Sequence, residues 1–166
     1  MKKVFAIFLA LLIGLSVSAQ IQNKILGFTL GTSTKNEVKN KYKYHQNFRE
    51  EDRDIFINFV EFAGNDWDFV HFHFYKNKLA SVDFSNIAPY TSPQILESRW
   101  SNLRDRLYNK YSAYYVNMNG SMLLFSDDVT NVALKLSDET GSLMLMLYYS
   151  NDYLMKQEVQ AIDDEL

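Results

Sequence analysis

There is no cysteine among the 166 residues. That absence removes a disulfide framework, a thiol nucleophile and the lipid-attachment cysteine of a bacterial lipoprotein. A Gly-x-Ser-x-Gly elbow is missing too, and with it the nucleophile of an α/β-hydrolase. No cofactor signature is present. Basic residues are not in excess: 17 Lys and Arg stand against 20 Asp and Glu, a formal charge of −3. Without a basic stripe the chain has little to offer nucleic acid or an anionic membrane surface. The one long apolar run lies in the first nineteen residues, and it is too short and too poorly flanked for a membrane span.

That run has the three parts of a secretory leader. Lys2 and Lys3 give a positive start, Val4 to Val17 an apolar stretch, and Val17-Ser18-Ala19 a small-residue cleavage site. Met1 to Ala19 is therefore read as a signal peptide and Gln20 as the mature start. The expected location is the periplasm or the exterior of a bacterial cell. Loss of Lys2 and Lys3 moves the formal balance from −3 to −5. The remaining roughly 147 residues, 20–166, suit one domain with one core and no staples.

Along that domain, Ile25 to Leu30 leads to Gly31 and to Thr34-Lys35-Asn36-Glu37, a capping box that launches a short helix with Val38 and Tyr42 inward. Its lysines read as a solvated face. Tyr44 to Asp54 is a polar connector, and Ile55 to Ala63 an inner strand with apolar residues on both faces. Ser92-Pro93 opens the clearest helix, whose stripe is Leu96, Trp100, Leu103, Leu107 and Tyr111. Tyr114 to Met118 and Ser121 to Ser126 flank an Asn119-Gly120 hairpin, and Val132, Leu134 and Leu136 alternate in the next strand. Leu143 to Tyr149 is apolar throughout. A last helix carries Met155, Val159, Ile162 and Leu166.

The most strongly patterned stretch of the mature chain is Trp67 to Ser85, a β-hairpin. Alternation puts Val70, Phe72 and Phe74 on one face, and Trp67, Phe69, His71, His73 and Tyr75 on the other. For Ala80, Val82 and Phe84 to share the buried face, Tyr75 must oppose Leu79 across a three-residue turn, Lys76-Asn77-Lys78. His71 then faces Asp83, and His73 faces Ser81. The odd face is either covered by the last strands or the C-terminal helix, or it is a ligand surface.

Two helix-then-strands units, about 25–87 and 91–162, spaced by hairpin-length turns, predict an α+β fold. Its sheet is an antiparallel β-meander with helices packed on one face. Phe28 to Val38, FTLGTSTKNEV, resembles the opening of small exported bacterial domains of the β-lactamase-inhibitor-protein-like and outer-membrane-assembly-lipoprotein (SmpA/OmlA) group. There a glycine and a hydroxyl cap launch a short helix before a meander. The resemblance implies a helix-on-sheet module that binds proteins through the sheet's open face, although this chain lacks the cysteine those lipoproteins lipidate. It carries over no inhibitory or catalytic residue.

Three functions compete. The first is a non-enzymatic module that binds another protein, or a glycan, through Trp67, Phe69, His71, His73, Tyr75 and Asp83. It needs no catalytic residue and no cofactor. The second is zinc binding by His71, His73 and Asp83, since His-x-His projects two imidazoles from one side of a strand. The third is a hydrolase in which Asp83 orients His71 as a base beside Ser81 or Ser85. Export is checked directly: protein recovered from envelope or medium should begin at Gln20 on N-terminal sequencing, and a chain still beginning at Met1 would contradict it.

Overall fold

The computed structural model describes residues 20–138 and 141–164; the leader, Met1 to Ala19, lies outside them, as does Leu166 of the last apolar stripe. A small hairpin comes first, β1 (Lys24–Ile25) and β2 (Phe28–Thr29), followed by helix α1 (Lys35–Tyr42). Then come β3 (Arg49–Glu50), β4 (Asp54–Phe62), β5 (Asn65–Tyr75) and β6 (Lys78–Ile87). Helix α2 (Pro93–Tyr111) leads to β7 (Tyr115–Asn119), β8 (Met122–Ser126), β9 (Thr130–Ser137) and β10 (Met144–Asn151), and helix α3 (Asp152–Asp163) ends the chain. The large sheet has eight antiparallel strands in the order β3-β4-β5-β6-β10-β9-β8-β7. Each unit is a helix followed by four strands, and the two meet where β6 pairs with β10.

The local signals form the elements they predict. Thr34 and Glu37 close the capping box at the start of α1. Pro93 is the first residue of α2, which buries Leu96, Leu103, Leu107 and Tyr111 and leaves Trp100 half-buried with its Nε1–H donating to the Ser121 carbonyl. Beneath α1 and α2 lies the core: Ile55 and Ile57 of β4, Val70, Phe72 and Phe74 of β5, Val82 and Phe84 of β6, Leu145 and Leu147 of β10, Val132 and Leu134 of β9. Phe72, Val82 and Phe84 are wholly buried, as their parity requires.

The parity argument needs two corrections, each with a local cause. The turn of the β5–β6 hairpin is two residues, Lys76 and Asn77, both in the left-handed region, so Tyr75 opposes Lys78 and Phe74 opposes Leu79. A bulge at Ala80 then restores His73↔Ser81, His71↔Asp83 and Phe72↔Val82. Leu79 therefore joins Phe74 in the core, while Ala80 turns to the opposite face, where Tyr75 lies as alternation predicts. There α3 buries both of them with Leu154, so α1 and α2 share one face of the sheet and α3 takes the other.

The second correction concerns Trp67, which is 1% exposed. In β4, Phe59 adopts φ 56°, and the core side passes from Ile55 and Ile57 to Val60 and Phe62. Val60 pairs with Trp67, so the partner strand turns with it. Asp68 completes the switch, its Oδ2 accepting the Ile87 backbone N–H at 3.1 Å. Trp67 enters the core against Phe84, its Nε1–H donating to the Phe62 carbonyl at 3.0 Å. The Trp67→Ala variant should lose about 3–5 kcal/mol of stability, measured by urea denaturation; a loss below about 1 kcal/mol would contradict this packing.

Candidate functional site on the open sheet face

The face opposite α1 and α2 is organised in rows running across the strands. One row is Asp54, His73, Ser81, Ser150 and Asn131. The next is Phe56, His71, Asp83, Tyr148, Ala133 and Leu124. The third is Asn58, Phe69, Ser85, Met146, Lys135 and Met122. α3 lies along the first row, so the question of a covered or open face has a divided answer. Tyr75 and His73 are reached by the helix, while no described helix covers Phe69, Met146 or Leu124.

At the edge of α3 the histidines join a continuous chain of charge. His71 Nδ1 lies 2.9 Å from Asp83 Oδ2, and its Nε2 lies 2.7 Å from Asp54 Oδ1. The same Asp54 oxygen is 2.8 Å from His73 Nδ1, and His73 Nε2 is 2.8 Å from Glu158 Oε2. Arg53 closes the series, donating to Glu158 Oε1 at 2.8 Å. The His71 ring stacks on Phe56 at 4.6 Å, and the Arg49 guanidinium covers the far side of that phenyl ring at 4.3 Å. Asp83 has one oxygen, Oδ1, buried and without a hydrogen-bond partner.

Electrostatics follow from that geometry. Burial works against a charge on His71, but the carboxylates of Asp83 and Asp54 outweigh it and raise its pKa. Burial also opposes ionisation of Asp54, and the bonds from His71 and His73 outweigh it in turn, lowering its pKa. Tyr148, beside Asp83 on β10, has its phenol pKa raised, chiefly by burial.

The predicted pairing of His71 with Asp83 is present, and so is the His73 register. Trp67 and Tyr75 leave the surface set. Phe69 remains half-exposed at the open face, with Tyr90 edge-on to it. Three residues of the charge chain, Asp54, Glu158 and Arg53, are not among those the sequence singles out. Asp54 lay in what reads as a loop but begins β4. Glu158 comes from α3, whose inward residues are Leu154 and Glu158, while Val159 and Ile162 are exposed. The parity of β4, which places Asp54 and Phe56 on the side of His71, was the available signal for Asp54. Nothing near His71 or His73 in sequence points to Glu158.

Every imidazole nitrogen of His71 and His73 faces a carboxylate, so neither ring presents a free nitrogen to Ser81 or Ser85. Hollows among the described residues lie away from the histidines, one beside Met122 and Leu143, one between α2 and the sheet at Arg106 and Tyr149, one beside Tyr108 and Leu123. Compared with family models, curated proteins and solved structures, the chain finds no significant match.

The two opposed pKa shifts set a pH window. His71 is raised in the fold, so its contribution is complete below about pH 6.5 and fades as pH rises through the higher folded value. Asp54 is lowered, so its contribution holds above about pH 3.9 and is lost as pH falls through the lower folded value. The urea midpoint of the parent should therefore decline on the alkaline side of 6.5 more steeply than that of His71→Gln. Parallel curves would show that His71 does not couple to folding.

Proposed function

We propose that this chain is an exported, non-enzymatic module that binds another protein through the open face of its sheet. The observation that carries this reading is a group of part-exposed apolar side chains on the second and third rows, Phe69, Met146 and Leu124 with Met122 at the far end, which no described helix covers. Phenylalanine and methionine at the centre of a sheet give a partner flat, adaptable anchoring area. From β5 to β8 the group crosses five strands, about 20 Å at the usual strand spacing.

The apolar row gives way at one side to the charge chain of Asp83, His71 and Asp54, which would form a polar rim. Burial of Trp67 and Tyr75 removes two of the rings on which a sugar could stack, so the face favours a protein over a glycan. Similarity of Phe28 to Val38 to the opening of exported helix-on-sheet binding domains supports the same reading, as does the leader-like start of the chain.

Immobilised mature chain, a Phe69→Glu/Met146→Glu double variant and a control altered on the helix side, Lys43→Glu, should be exposed to an extract of the native envelope. Proteins retained by the parent and by the control should be lost with the double variant at unchanged melting temperature. Equal retention by all three would remove the open face from any role in binding.

A further inference from the structure

We propose that Asp54, His71 and His73 form a binding site for a divalent transition-metal ion, with Asp83 and Glu158 as outer carboxylates that orient the imidazoles. The three groups each present one ligand atom, and these atoms all lie within 4.8 Å of one another. Asp54 Oδ1 already sits between His71 Nε2 and His73 Nδ1, at 2.7 and 2.8 Å. Around a tetrahedral zinc with bonds of 2.0–2.1 Å, ligand atoms stand roughly 3.3 Å apart. Asp54 at the first position of β4 would thus retreat by about half an ångström.

What separates this cluster from a chance meeting of side chains is its outer layer. A metal-bound imidazole donates its other N–H to a carboxylate or carbonyl, which fixes the tautomer and the ring plane. Here both rings meet that condition with different partners: His71 Nδ1 with Asp83, and His73 Nε2 with Glu158. Arg53 in turn holds Glu158, and Phe56 stacks flat on His71. The ligands come from two paired strands, which place side chains more precisely than loops do.

Charge points the same way. Asp54, Asp83 and Glu158 bring three negative charges against one from Arg53. One divalent ion bound by neutral imidazoles makes the set neutral. Two imidazoles and a carboxylate suit zinc, iron, cobalt or nickel, whereas calcium and magnesium prefer oxygen alone. The ligand side chains are 31%, 19% and 25% exposed for His71, His73 and Asp54, which leaves an approach from solvent. Asp83 is an outer partner here, and Asp54 takes the ligand position that the sequence pattern gives to Asp83. The site does not depend on whether the apolar rows bind a protein.

Untagged mature chain stripped with a chelator should be titrated with zinc by calorimetry, and with cobalt for its visible absorption. One zinc per chain is expected, with a rise in melting temperature that a chelator reverses. Asp83→Asn and Glu158→Gln should each weaken zinc about 10- to 100-fold, and His71→Ala or His73→Ala should weaken it further. His45→Ala, remote from the cluster, should change nothing. In the parent protein the ring signals of His71 and His73 should shift with zinc while those of His45 stay, a measurement that holds even if a variant fails to fold. No heat, no cobalt band and unmoved ring signals would overturn the site, as would zinc binding that survives loss of both imidazoles.

Discussion

The pairing of Phe72 with Val82 across β5 and β6 is the constraint from which the rest of the molecule follows. In a sheet with period two, one such pair decides which face every neighbour takes. Because these two are buried against the helices, His71 and Asp83 must meet on the other side, and Tyr148 must meet Asp83 from β10. A slip of one residue would place imidazoles among phenylalanines and leave the ion-pair chain unformed. The bulge at Ala80 is how a two-residue turn coexists with that register. It absorbs the extra residue locally, and α3 covers the small side chain that results.

How far this could be read beforehand depended on whether a rule was local. Capping by Thr34, the proline start of α2, and the His71–Asp83 opposition each rest on a few adjacent residues, and each is present in the structure. Trp67 was misplaced because strict alternation assumes an unbroken strand, and Phe59, a residue with no sequence mark of a left-handed backbone, reverses the core side of β4 and carries β5 with it. Tyr75 keeps the face that alternation assigns it and is covered there by α3, whereas a turn length chosen without a bulge misassigns Leu79, which enters the core, and Ala80, which leaves it. Within the charged cluster, Asp83 was legible from hairpin register alone. Asp54 needed the start of a neighbouring strand, and Glu158 needed the tertiary position of α3, more than eighty residues away.

α3 has two roles that its sequence alone kept apart. Leu154 closes a small apolar cluster over Tyr75 and Ala80, and one turn later Glu158 reaches His73 and Arg53. Its start is fixed by Asn151, whose Oδ1 accepts the Leu154 N–H at 3.0 Å. Gly31, with φ 80°, lies against that same asparagine, so close that a Cβ would stand 2.8 Å from its Nδ2. The segment just after β2 thus packs close against the helix cap near the other end of the chain. Packing of the first and last elements is thus linked to the geometry of the histidines.

The two outer strands of the large sheet differ from its interior. β3 is a mere two residues, Arg49 and Glu50, both exposed and oppositely charged. β7 is interrupted between Tyr115 and Asn117, where Val116 stands out unpaired and exposed. Short, charged or kinked margins give an incoming strand no straight ladder to copy. An eight-stranded antiparallel sheet with straight, open margins would be a template for fibre growth, and these blunt margins work against it.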